Sequence, residues 1–186
     1  KTIIDLLFRK NIKILNIFLN DLKKQLNTEN LLLTSQGRVA AYNIFKVITS
    51  ETKKEIIVSP YTLTEVINAI VYAGAIPIYV DIDIKTGLPL EDELEKKINP
   101  RTAGIVITHL FSKKEDLIAF KDKYFGKIII IEDVAINLGA KLNDKEYLGT
   151  VFDYGFYSFG IMKNLCTFHG GALFARDKEK LKEIEK

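Results

Sequence analysis

The sequence predicts an α/β fold, three α/β/α layers with a mostly parallel sheet in the middle, and three observations carry that prediction. Strand-sized apolar runs alternate with helix-sized amphipathic segments over most of the chain. The run Ile128-Ile129-Ile130-Ile131 has no polar alternation, as in a central strand covered on both faces. Several runs end in polar or turn residues, and in parallel sheets ligands collect beyond the carboxyl ends of the strands.

Taken in order, residues 2–27 repeat apolar side chains at helical spacing. Ile3, Leu7, Ile14, Phe18, Leu22 and Leu26 share one face, and Leu6, Phe8, Ile12, Ile17 and Leu19 widen it. So wide a stripe implies packing against more than one surface, a partner subunit being one candidate. Asp5, Arg9, Lys10 and Lys13 interrupt this apolar stretch, and no small-residue cleavage site follows, so it reads as a helix and not as a signal peptide. Residues 1–30 are therefore taken as an N-terminal helical segment and 31–186 as the main domain. Strands are expected at 31–33, 56–58, 76–80, 103–108 and 127–131, with helices between them at 38–48, 64–72, 90–98 and 113–124. Two more strands, 154–159 and 171–175, flank a turn over 160–169, and a charged segment, 177–186, follows. Thr86-Gly87-Leu88-Pro89 and Asn99-Pro100 mark turns.

Composition narrows the function classes. With 47% hydrophobic residues the chain has enough apolar side chains for a large core. Its 27 basic and 24 acidic residues are dispersed, so no nucleic-acid surface is expected. No run approaches the roughly 20 apolar residues of a membrane span. The single cysteine, Cys166, has no internal disulfide partner, fits a reducing cytoplasm, and is read as a packing residue. Two histidines far apart make a zinc site improbable, so no metal is expected. Asp81 and Asp83, after a strand, read as turn formers.

The strand ends carry the chemistry. Asp133 stands at the end of a buried strand, two residues after Ile131, Lys163 lies in the turn after the next strand, and Ser158 precedes that turn. Gly37 and Arg38 open a helix whose N–H groups and dipole favour an anion. A pyridoxal cofactor needs this set: an amine, a carboxylate facing the pyridine nitrogen, and a cradle for the phosphate. Singly none is specific, since a lysine in a turn is usually a solvated surface residue and an aspartate after a strand often a cap. Their order carries the reading.

From about residue 31 to 176 the chain resembles the DegT/DnrJ/EryC1/StrS group of fold-type-I, pyridoxal phosphate (PLP)-dependent sugar aminotransferases. Ile131-Glu132-Asp133-Val134-Ala135 with Leu138-Gly139-Ala140 is similar to that family's aspartate signature. Tyr157-Ser158-Phe159-Gly160-Ile161-Met162-Lys163-Asn164-Leu165 with Gly170-Gly171-Ala172-Leu173 is similar to its lysine segment. Gly37-Arg38-Val39-Ala40-Ala41, Ser59-Pro60-Tyr61-Thr62, Gly74-Ala75-Ile76-Pro77, Val80-Asp81-Ile82-Asp83 and Pro100-Arg101-Thr102 add ordered matches.

The resemblance implies Lys163 as the Schiff-base lysine and proton carrier, Asp133 as partner of the pyridinium nitrogen, and Ser158, Gly37 and Arg38 as phosphate ligands. It implies amino transfer, usually from glutamate, to a keto group on a nucleotide-linked sugar, in a homodimer or with a complementary chain. Leu63 stands where the family often stacks an aromatic on the cofactor, and Ile136 where it places Gln or His. Gly160 replaces a His, and Phe168-His169 a Gly-Glu. His109 matches a family histidine and reads as a hydrogen-bonded group lining the crevice, and His169 as a turn residue. The family's smaller C-terminal domain is not in this chain. A second reading follows from these departures: a catalytically silent relative acting as a binding partner, or half of a split enzyme.

Overall fold

The computed structural model describes residues 12–186. Helix α1 (Ile12–Gln25) leads into β1 (Leu31–Thr34), α2 (Gly37–Ile48), β2 (Glu55–Val58), α3 (Thr64–Tyr72) and β3 (Ile76–Tyr79). Then follow α4 (Glu91–Lys97), β4 (Thr102–Thr108), α5 (Lys114–Tyr124), β5 (Ile130–Asp133), β6 (Tyr154–Ser158), β7 (Gly171–Ala175) and α6 (Lys178–Glu185). The expected helix over 2–27 lies outside the described residues up to position 11. Within them, Leu22 and Leu26 are buried and Phe18 meets Phe159 edge to face at 5.5 Å, whereas Ile14, assigned to the same face, is 60% exposed.

The seven strands form one sheet in the order β1-β7-β6-β5-β4-β2-β3. Only β7 runs against its neighbours, pairing antiparallel with both β1 and β6. The mostly parallel sheet expected from the sequence is thus found, and helices cover both of its faces. On one face, Leu94 of α4 and Leu117 and Phe120 of α5 pack with Ile57, Ile105 and Ile130. On the other, Ile44 and Phe45 of α2 and Val66 and Ile70 of α3 pack with Ile56, Val106 and Ile131. Consecutive strand residues thus enter opposite cores, which is why the central strands lack alternation. Each fully buried aliphatic side chain contributes about 1.5–3 kcal/mol.

One expectation needs correction, and one segment left without an element gains one. Strand β5 begins at Ile130, three residues later than the apolar run predicts, because Lys127 and Ile128 still donate to Tyr124 O at the end of α5. The strand instead runs on through Glu132 and Asp133, both buried. An apolar pattern cannot anticipate carboxylates that find partners inside. The charged segment after residue 176 is a helix, α6: Asp177 caps it by accepting from Glu179 N and Lys180 N, and Leu181 and Ile184 pack onto the second core.

The topology gathers one set of ends. Thr34, Gly171 and Ser158 lie in register, as do Thr108, Asp133 and Phe156. The residues following β1, β2, β4, β5 and β6 therefore emerge along one edge of the sheet. No helix among the described residues is long and apolar enough to cross a membrane.

Candidate active site

At that edge two adjoining cavities, of about 350 and 380 Å³, share Leu63, Asp133, Ala135 and Lys163 as walls. Gly37, Arg38 and Ser158 line the first and Ile136 the second. All seven residues singled out from the sequence meet at this one cleft.

Each is positioned by its element. Asp133 is the last residue of β5 and 4% exposed, and one carboxylate oxygen accepts from Ala135 N at 3.0 Å. Burial pushes its carboxyl up to about 6, opposed by that N–H and by the charges of His109 and Lys163. Lys163 is half-buried, in the turn between β6 and β7, its N–H donating to Gly160 O at 3.3 Å. That turn departs from ordinary backbone at Met162 (φ 69°) and Phe168 (φ 65°), both non-glycine residues in the left-handed region.

The start of α2 rests directly on the strand edge. A Cβ at Gly37 would lie 2.7 Å from Ser158 Cβ, and one at Gly171 2.6 Å from Gly37 N. Only glycine permits this approach, which brings the helix N-terminus beside the Ser158 hydroxyl. The side chain of its N-cap residue, Gln36, makes no capping hydrogen bond. The Arg38 guanidinium is held by the Gln36 side chain.

Two acidic neighbours on β5 have opposite environments. Asp133 faces the cleft, whereas Glu132, fully buried, faces the other core. Its Oε1 accepts from Gly149 N (2.8 Å) and His109 Nε2 (3.0 Å), its Oε2 from Val151 N (2.9 Å) and Phe152 N (3.0 Å). Sequence reasoning missed Glu132. The signal was the tandem Glu-Asp, since strand alternation sends one side chain to each face.

The remaining polar residues sort as follows. His109 is buried and lines the second cavity. His169 is an exposed turn residue at the rim of the first. Cys166 is exposed and not a packing residue, because it lies in the turn between β6 and β7 whose neighbouring side chains are themselves largely exposed. Asp83 accepts from Lys85 N at 2.6 Å, as a turn former does. Among the described residues no cluster of three metal-ligating side chains occurs.

The model of the DegT/DnrJ/EryC1/StrS aminotransferase family matches residues 13–186. The chain is 31% identical over 162 residues to the GDP-perosamine synthase of Escherichia coli O157:H7, covering 87% of this chain and 44% of that protein. It is 30% identical over 167 residues to the dTDP-4-amino-4,6-dideoxy-D-glucose transaminase of Shigella dysenteriae, covering 87% and 43%. Among solved structures, the aminotransferase TlmJ from Streptoalloteichus hindustanus superimposes with a TM-score of 0.79 at 27% identity, covering 91% of this chain and 47% of that one. NtdA from Bacillus subtilis, with bound cofactor PMP, gives a TM-score of 0.77 at 27% identity, covering 91% and 38%. The chain thus spans less than half the length of these relatives.

Proposed function

The chain belongs to the DegT/DnrJ/EryC1/StrS aminotransferase family, and on that premise we propose that it forms the cofactor-binding part of a PLP-dependent enzyme that passes an amino group, from glutamate, to a keto group of a nucleotide-linked sugar or related small molecule. The observation that carries this reading is the meeting of one amine, Lys163, and one buried carboxylate, Asp133, in a cleft whose far wall is a glycine-opened helix N-terminus.

The donor set suits the cofactor. The pocket in which Gly37 would clash as any larger residue leaves a helix N-terminus and the Ser158 hydroxyl for a phosphate. Asp133, ionised above a pH of about 6, holds a proton on a pyridine nitrogen. Bound there, PLP supplies the electron sink for breaking a bond at the amino-bearing carbon. Lys163 would hold the cofactor through its amine, and the same amine would carry the proton that amino transfer requires. Leu63 covers one face of the cleft with aliphatic contact only. Gly37, Arg38 and Ser158 fix the anion, and Ile136 contributes an apolar wall.

Residues 31–186 are proposed as the large domain. A second copy of the protein or a complementary segment is proposed to close the cleft, where Leu63, Ile161 and Phe168 are exposed. The cytoplasm is the proposed location.

The test is an absorbance spectrum of the protein with added PLP, before and after borohydride, followed by peptide mapping. A visible band fixed by reduction onto Lys163, and absent in Lys163→Ala, is expected. Failure of the complete protein to bind PLP overturns the reading. It would leave the second one, a silent relative, which the apolar replacements at Leu63 and Ile136 favour. Biological activity that survives Lys163→Ala would support that alternative.

A further inference from the structure

The second cavity, of about 380 Å³, holds a polar pair to which none of the roles above is given. Much of its wall is apolar, from Pro60, Leu63, Leu110 and Ile136. Set into that wall, the Thr108 hydroxyl donates to Thr62 Oγ1 at 3.2 Å, and both threonines are half-buried. Two hydroxyls carry two hydrogens, and one is spent between them. The other belongs to Thr62, and among the described residues it meets no acceptor.

The sheet register explains where the pair points. Thr108 ends β4 and pairs in parallel with Asp133, which ends β5. Residues in register send their side chains to the same face, on strands about 4.8 Å apart. Thr108 therefore enters the cleft beside the Asp133 carboxylate. His109, one residue on, turns its ring the other way, as Glu132 does: Nε2 meets Glu132 Oε1 at 3.0 Å, and Nδ1 is shut off from solvent. Tyr61 also brings a hydroxyl to this cavity, but it is 58% exposed at the rim, its ring edge to face with Phe111. The titratable groups around the pair are thus Tyr61, His109, Asp133 and Lys163.

The structure of a pyridoxal ring decides what such a donor would meet. Its phosphate arm and its phenolic oxygen flank the reactive carbon on opposite sides, and the nitrogen lies across the ring from that carbon. A phosphate at Gly37 and Ser158 occupies the first cavity, while Asp133 and Lys163, shared by both cavities, take the nitrogen and the reactive carbon. The phenolic oxygen would then point into the second cavity. An ionised oxygen taken out of water needs a donor, and the Ile136 side chain has none to give.

We propose, resting on the PLP reading above, that the Thr62–Thr108 hydroxyl pair is the hydrogen-bond donor to the phenolic oxygen of PLP: Thr62 makes the contact and Thr108 orients it.

The test is a pH titration of the visible band of the PLP-loaded complete protein, in wild type, in Thr62→Val/Thr108→Val and in Thr62→Ser/Thr108→Ser. Valine at both sites removes the two partners together and keeps their shape, a change that is close to neutral for folding. A donor favours the ionised oxygen, so its loss should raise the pH at which the band titrates, by about one unit; the serine pair should titrate as wild type. The valine pair should also bind PLP roughly three- to tenfold more weakly, yet bind an analogue without the phenolic hydroxyl within about twofold of wild type. An unmoved titration overturns the proposal, and so does equal weakening toward PLP and the analogue, which makes the pair structural only. Should the valine pair not fold, Thr62→Val alone has to move the titration, and its failure to do so overturns the proposal as well. A wild-type protein that gives no visible band overturns the PLP reading itself, whereas a band that ignores the threonines removes only their role.

Discussion

Two turns flank β6, and they are built in opposite ways. In the turn before it, residues 148–152, every main-chain N–H has a partner: Glu132 takes three, Ala140 O takes Leu148 N, and Tyr147 O takes Thr150 N. The carbonyls of Thr150, Val151 and Phe152 accept from the Arg176 guanidinium at 2.7–3.0 Å, and Leu148 O accepts from Tyr157 Oη at 3.0 Å. In the turn after it, residues 160–170, the ties are few and the side chains of Ile161, Met162 and Phe168 are 68%, 93% and 71% exposed. One end of the strand is anchored by buried polar bonds; the other, which bears Lys163, is left open to what binds. Scaffold and reactive segment are thus separated by the length of one strand, which fits the general pattern of functional loops on rigid supports.

The largest expected effect breaks the anchored side. Glu132→Ala leaves three N–H groups and a histidine nitrogen buried without their acceptor, and should cost about 3–5 kcal/mol in chemical denaturation. A loss under 1 kcal/mol would mean the turn does not depend on that carboxylate.

A smaller effect of opposite sign is expected on the open side. Asp133 is raised from 3.8 to about 6 on folding, so the folded state holds its proton more tightly than the unfolded chain. An acid raised in this way destabilises the cofactor-free fold above pH 6, and the penalty fades as pH falls from 6 towards 4. Asp133→Asn should therefore stabilise the apoprotein at pH 8 by about 1–3 kcal/mol, with the gain gone by pH 4, while weakening PLP binding. Thermal unfolding across that pH range checks it; a destabilised variant at pH 8 would contradict the role of burial.

The smallest effect sharpens the contrast. Met162 is exposed and left-handed, so Met162→Gly should raise stability by at most about 1 kcal/mol. A large loss in melting temperature would show that its side chain packs in solution.

Much of this was legible in the sequence where one physical signal dominates. Apolar runs gave the seven strands and, with helical spacing, α2, α3, α4 and α5, because burial of one face is what those patterns encode. Lys163 and Asp133 were legible because strand ends of a parallel sheet converge. What the pattern hid depends on pairing across the chain. β5 extends over two acidic residues only because Glu132 finds four donors from two distant segments, and hydropathy is blind to that. Arg176 carries no mark of its role in the sequence, yet its planar group fits three carbonyls and lies 5.1 Å from the Phe125 ring. The helix after Asp177 was concealed by its charges, although Leu181 and Ile184 at a spacing of three were there to be read.

The lone reversed strand has a consequence for how the protein is made. β7 inserts between β1 and β6, and Asn30 and Arg176, bonded to each other beside it, are 146 residues apart in sequence. During synthesis the first strand must wait, with Leu31 unprotected, until its pairing partner Phe174 has left the ribosome. Contacts of such sequence separation form slowly and late. The cradle of Gly37 against Ser158 and Gly171 draws on both ends of that span, so no anion site exists on the nascent chain before β7 has emerged. Capture of an anion there would report that the sheet has closed.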